Sequence, residues 1–416
     1  MKRNSNIIIK GFLFLFVVMI VSCDYQKGTI PKNVIQVERT VGNYSVLNLS
    51  EFATEIRYIP LETNDSALVS TVNQVIYEDE KLLIKDRLNN CWLFDSTGKF
   101  CRKIGQKGQG PDDYIAIRDI YLWENEIFLT DRQKLFIYDT NGNLVEILNL
   151  GLSVMPEKYK EYTSVNILPL KKDTYIMNFA LYSGYYPTAI LLEKNQSDLK
   201  MIKEYPNSVI LDKLRASVYF HEWGIMYRFK DEMRVHKMIN DTVFTIDQNA
   251  EMKDVFIFDL GKYRTTHSYY ELKEGDTDQF YRKKFISVMT FYESSNHLFI
   301  AFDFGNHAPE PFEVTSIYNF EFTISDVYGV FDKNTGELTL MRQPIKGKLG
   351  FKNDIDNGPV IWPRYISSNN ELVTSISAED FLDYYEKTET PTPQMTEIAQ
   401  NINLDDNPII IIAKLK

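Results

Sequence analysis

The stretch Cys91–Tyr114, CWLFDSTGKFCRKIGQKGQGPDDY, decides how the rest of the chain is read. Trp92, Leu93 and Phe94 are strand formers. Asp95-Ser96-Thr97-Gly98 then reads as a tight turn. An aspartate at its start accepts from the backbone ahead of it, and glycine takes the left-handed position. Phe100, Cys101 and Ile104 belong to the returning strand. Gly105, Gly108 and Gly110 mark an exit loop closed by Pro111, with the glycines expected at positive φ. The order G-x-x-G-x-G-P is not a dinucleotide fingerprint, and it lacks the Lys-Ser/Thr of a P-loop.

The same strand–acid–turn–strand phrase returns at Leu135–Ile147, Ala189–Gln196, Val243–Asn249 and Val327–Gly336. Five such hairpins imply an internal repeat. Six other hairpins precede or follow them: Gln74–Asp86, Asp119–Asp131, Val165–Phe179, Glu222–Val235, Val288–Asp303 and Val360–Ile376. Each is an apolar strand, a polar turn and an apolar strand. Their starts lie 45, 46, 57, 66 and 72 residues apart. The early spacing suits a four-stranded propeller blade, and the later growth requires loop insertions.

Pairing the two hairpin types predicts an all-β fold: a six-bladed β-propeller of four-stranded antiparallel blades. The sixth blade lacks its second hairpin. Arg57–Glu62, an isolated first strand, and Ile409–Leu415, the last, are expected to pair and close the ring, which removes open edges. Between them, Ser377-Ala378-Glu379-Asp380 opens a short helical insertion with Phe381, Leu382 and Tyr385 on one face, and a second helix holds Met395, Ile398 and Ile402.

The chain has 26 Phe and 26 Tyr, which favours strands over a helical solenoid. Net charge is −11, and −14 without the basic leader residues Lys2, Arg3 and Lys10. So acidic a body argues against nucleic acid, which needs a basic footprint. Cys91 and Cys101 lie on opposite arms of one hairpin. Two buried thiols are expected, and a cross-strand disulfide is the alternative.

Residues 1–22 read as a signal peptide, with an apolar run after Lys2 and Arg3. Ile20-Val21-Ser22-Cys23 resembles the lipobox of bacterial lipoproteins, which implies cleavage before Cys23 and its acylation. Residues 23–45 then form the lipidated cysteine and tether, and 46–416 the propeller. Tyr58-Ile59-Pro60-Leu61-Glu62-Thr63, the Phe94-Asp95 turn leading to Ile104–Pro111 and Tyr114, and the Asn407-Pro408 terminal strand carry a wider likeness. With them the chain resembles the six-bladed propeller lipoproteins of Bacteroidetes, distant relatives of NHL-repeat propellers. Asp112-Asp113 departs from the Gly-Glu-like pair expected there. The resemblance implies a lipid anchor in the bacterial envelope, at the outer membrane, and a binding role. It carries across no catalytic residue.

No catalytic motif stands out. G-x-S-x-G does not occur. The histidines are His221, His236, His267, His297 and His307, without H-E-x-x-H. His297 and His307 are the single candidate metal pair. Asp139–Gly142 and Asp332–Gly336 echo a calcium loop, but position twelve from Asp332 is Gln343, so both read as turns. No metal or cofactor is expected.

One constellation remains. Loops from each outer strand to the next inner strand gather on one propeller face. They carry aromatic and cationic residues, of which Tyr114, Arg118, Trp223, His267, Trp362 and Arg364 are the candidate ligand-binding set. The leading expectation is a non-enzymatic module that binds a glycan, peptide or envelope protein and touches the membrane only through its lipid. The alternatives are a metal-dependent lactonase- or lyase-type enzyme in the central channel, and a structural partner in an outer-membrane complex.

Overall fold

The computed structural model describes residues 31–131, 134–150, 165–179, 187–208, 224–237, 240–265, 284–315 and 319–416. The described chain is all-β with a few short helices. The chain opens with β1 (Val34–Gln36), one helical turn α1 (Val37–Thr40), β2 (Tyr44–Ser45) and β3 (Ala53–Pro60). A first blade follows, in sheet order β4 (Val72–Glu78), β5 (Lys81–Asp86), β6 (Cys91–Asp95) and β7 (Phe100–Lys103). Next come β8 (Asp119–Trp123), β9 (Glu126–Thr130), β10 (Lys134–Asp139) and β11 (Leu144–Asn149), then β12 (Val165–Lys171), β13 (Thr174–Phe179), β14 (Ala189–Asn195) and β15 (Asp198–Tyr205). These two runs share one eight-stranded sheet, in which β11 meets β15 through the single parallel pair Asn149–Asp198.

β16 (Ile225–Phe229), β17 (Glu232–His236), β18 (Thr242–Ile246) and β19 (Met252–Asp259) form another blade, extended by β1 lying parallel to β19. In the next, β20 (Ser287–Glu293) and β21 (His297–Asp303) are separated from their partners by an inserted hairpin, β22 (Phe312–Thr315) and β23 (Glu321–Ile324). β24 (Asp326–Asp332) and β25 (Glu337–Met341) complete that blade, and β2 adds a parallel edge. The last sheet holds β26 (Tyr365–Ile366), β27 (Glu371–Ile376) and, after helices α2 (Ala378–Lys387) and α3 (Pro393–Asn401), β28 (Ile409–Leu415), with β3 as its fourth strand.

The result is a β-propeller arrangement of four blades and one eight-stranded sheet. The expected closure forms: β3 and β28 pair antiparallel from Ile409–Pro60 to Leu415–Ala53. One boundary moves. Residues 34–45, read from the sequence as tether, already belong to the fold because β1 and β2 cover the outer edges of two blades.

The turn chemistry explains the repeat. Asp95 accepts from the Thr97 N–H at 2.9 Å, and Gly98 closes the turn at φ +87°. Gly142 and Gly336 do the same, whereas Ala250 holds the left-handed position at φ +62° without glycine's freedom. A bulge recurs in the outer hairpins β6–β7, β10–β11, β14–β15 and β18–β19. The exit loop corrects one expectation. Gly105 alone takes positive φ there, because Tyr138 and Tyr114 crowd it; Gly108 and Gly110 instead leave room for the Asp113 carboxylate.

Cores lie between neighbouring sheets. Ile59, Ile410 and Ile412 of the closing sheet pack with Tyr77, Ile84 and Trp92 of the first blade.

At the base of the inserted hairpin, Asp303 and Asp326 are opposed across β21 and β24. Asp303 accepts from the Gly305 N–H at 2.9 Å and the Ser325 hydroxyl at 2.6 Å. Burial, then the Asp303 charge, raises the Asp326 carboxyl to about 6. A carboxyl raised by folding favours the protonated protein, so this pair costs stability above about pH 6 and the cost disappears toward pH 4. Asp326→Asn should therefore gain about 1–2 kcal/mol at pH 7.5, allowing for solvent screening. It should match the parent near pH 4. Urea unfolding at both pH values checks this, and an equal gain at both would remove the titration account.

Candidate functional site

The first strand of each run lies innermost: β4 touches β8 and β26, and β20 touches β16 and β26. Such strands expose one edge of backbone groups, and side chains from the next strand around the ring cap it. Gln74 exchanges two hydrogen bonds with the Ile120 backbone, at 3.0 and 3.2 Å. Arg228 donates to the carbonyls of Pro169 and, at 2.9 Å, Leu170. Arg364 donates to those of Val72 and Asn73 at 2.9 and 3.0 Å.

Where first strands turn into second strands, a cavity of about 330 Å³ opens at the axis. Five such turns supply its wall, through residues that include Glu78, Trp123, Arg228, Glu293 and Tyr365. Several charged groups here join neighbouring sheets. Glu78 accepts from Tyr365 Oη at 2.7 Å, the Ser368 N–H at 2.8 Å and the Ser368 hydroxyl, which ties the first blade to the last sheet. Burial pushes its carboxyl above the usual range, and these donors pull it back. The Arg228 guanidinium lies 4.9 Å over the Trp123 ring.

Glu293 is the most enclosed charge of the cavity wall, with its side chain 1% exposed. It accepts from Tyr227 Oη at 2.8 Å, Arg234 Nε at 3.0 Å and Lys333 Nζ at 2.9 Å. Arg234 also pairs with Glu232 at 2.7 Å. Burial opposes the Arg234 charge, but Glu293 and Glu232 outweigh it and hold the guanidinium above its ordinary value. At the mouth, Asp79, Glu124 and Asp231 are exposed and make no ion pair among the described residues. The cup therefore offers aromatic faces and an acidic rim to a polar ligand. No cluster of three or more metal-ligating side chains occurs among the described residues.

Those residues singled out from the sequence that the structure describes sit elsewhere. Tyr114 is fully buried against Gly105, and no partner is found for its hydroxyl. Arg118 is half-buried, and its carbonyl accepts from Lys85 Nζ at 2.7 Å. Trp362 stacks on Tyr328 with ring centroids 4.4 Å apart. Arg364 caps β4 as described and also donates to the Ser375 hydroxyl at 3.2 Å. Cys23, Trp223 and His267 lie outside the described residues. The axial residues Glu78 and Glu293 were missed, although both end a first strand directly before a polar turn, a position a reader could have aligned across repeats.

The remaining candidates resolve plainly. Cys91 is buried but Cys101 is exposed, and both are free thiols; the β6–β7 bulge pairs Phe94 with Phe100 and leaves Cys101 out of register. His297 packs edge-on against Phe52 at 5.1 Å, and His307 Nε2 lies 3.1 Å from the Lys284 carbonyl oxygen. Among the described residues no helix is long and apolar enough to cross a membrane.

Comparison with known proteins agrees with this architecture. A crystal structure of a Bacteroides fragilis protein described as exported shares 18% identity with this chain, covers 92% of it and 99% of its own length, and superposes with a TM-score of 0.67. A Bacteroides vulgatus member of the duf4221 family shares 11% identity over 88% of this chain and 97% of its own, with a TM-score of 0.48. No curated protein matches the sequence. The family model described as "Domain of unknown function (DUF4934)" matches residues 32–414, and the chain belongs to that family.

Proposed function

We propose that this protein is a non-enzymatic binding module, a six-bladed propeller held at the outer membrane of a bacterial envelope by lipid on Cys23. Its ligand, a glycan, peptide or segment of an envelope protein, sits in the axial cavity. The blade count is supported by six runs of four antiparallel strands, two of them touching through Asn149–Asp198 alone. Likeness to an exported Bacteroides protein supports the envelope address. The acidic surface leaves nucleic acid out of the proposed partners.

The observation that carries the binding reading is the axial cavity itself. Its volume of about 330 Å³ falls in the range of small-ligand sites. Glu78 and Glu293 are occupied in fixing the blades, which leaves the acidic mouth for recognition. A ligand that binds only the folded state raises the unfolding midpoint. Residues 24–416 should show such a rise with an oligosaccharide or peptide from a panel, and lose it in the Asp79→Ala, Asp231→Ala double variant. A rise that survives the double variant would move the site away from the axis. A rise with divalent cations alone, reversed by EDTA, would replace binding by metal-dependent chemistry.

A further inference from the structure

β27 has six residues, but its inner neighbour β26 has two. β26 pairs only with Leu372 and Val373, and the Arg364 N–H reaching the Val373 carbonyl at 2.9 Å ends the ladder. Pro363 accounts for this, since it has no N–H to continue the pairing. On its other side β27 stays paired with β28 as far as Ile376–Ile409. Backbone groups of an antiparallel strand alternate between its two neighbours. Val373 bonds toward β26, so Ser375 presents its N–H and C=O to the same side, beyond the point where β26 has ended.

That stretch of edge lines a cleft of about 500 Å³. Val360, Ile376 and Ile411 give it apolar walls, and Tyr384 of α2 stands over it with its hydroxyl donating to the Asn357 carbonyl at 3.1 Å. Lys387 is taken by Asp383 at 2.6 Å. Lys348 and Asp380 also line the cleft and make no ion pair among the described residues, so it offers one charge of each sign.

We propose that this cleft binds an extended peptide supplied by another protein, added as a short strand beside Ser375. An apolar side chain would lie on Val360 and Ile376, with one basic and one acidic side chain toward Asp380 and Lys348. Alternating backbone donors and acceptors are what a strand edge recognises, and a glycan does not carry them. The strand comes from outside because both termini of the fold lie at the other end of the blades. Lys32 donates to the Asn334 carbonyl, and the Lys416 carbonyl accepts from Asn296 and Asn370, beside the turns that line the axial cavity. The site is therefore separate from the axial cavity, and either can fail alone.

The test uses the full chain and a fluorescently labelled probe, acetyl-Lys-Val-Thr-Val-Glu-amide, followed by anisotropy. Saturable binding is expected, weakened roughly tenfold when alternate backbone nitrogens of the probe are methylated, because the hydrogen bond to the Ser375 carbonyl is then lost. Ser375→Pro, which removes the edge N–H, should weaken the parent probe similarly. Should that variant fail to fold, the methylated probe on the unaltered protein still decides. Equal binding of methylated and parent probes, or no binding of the parent, overturns the proposal. Self-association abolished by Ser375→Pro would replace the partner peptide by a second copy of the chain.

Discussion

Replacing Glu293 by leucine is expected to destabilise the protein by about 3–5 kcal/mol, because it leaves buried cations without their counter-charge. Arg234 is 6% exposed and Lys333 is half-buried, and both converge on this one carboxylate with Tyr227. Removing it strands two positive charges and a hydroxyl between two blades. Arg234 keeps Glu232 as a partner, which sets the lower end of the range. Adding Arg234→Met and Lys333→Met should recover much of the loss, since the orphaned charges carry most of the cost rather than the absent pair. Urea unfolding of the single and triple variants checks both statements. A loss below about 1 kcal/mol in the single variant would mean that water reaches the cluster.

Asn407→Ala is the second large expectation. The Asn407 amide accepts from the Val69 N–H at 2.7 Å and donates to the carbonyls of Glu62 and Ala67 at 2.7 and 2.6 Å. It thereby holds the segment after β3 against the start of β28. Alanine leaves two buried backbone groups and the partly buried Glu62 carbonyl without this partner; at about 1–3 kcal/mol for each buried group before relaxation, a net loss of about 2–4 kcal/mol is expected. Asn407→Asp should be no milder, because a carboxylate would face two carbonyl oxygens. Unfolding midpoints of the two variants provide the measurement. A rank order with aspartate clearly the more stable would show that the amide donors are dispensable.

Much of the architecture was legible because it rests on local rules. Asp95 and Gly98 make a turn with their own neighbours, and the same chemistry repeats wherever the phrase repeats. The closing pair could be read because β3 alternates, β28 is a continuous apolar run, and neither has a partner next to it in the chain. What escaped was everything set by distant contacts. β1 and β2 are too short to carry a pattern, and they become strands only because blades offer them an edge. Gly108 and Gly110 looked like flexible positions, yet they answer to the Asp113 side chain. The axial cavity escaped because Glu78, Arg228 and Glu293 come from different repeats, and only aligning the ends of the first strands would have brought them together. The rim of Tyr114, Trp362 and Arg364 drew notice through residue type alone. Tyr114 proves to be core, and Arg364 serves the backbone of β4.

The sheet that joins β3 to β28 also sets an order of events. Its bonds link residues far apart in the chain, as the 345-residue separation between Asn407 and Glu62 shows. Joining such distant segments costs chain entropy that only the finished sheet repays. The ring cannot shut until Ile409–Leu415 have been synthesised. Until then the nascent polypeptide lacks its final fastening.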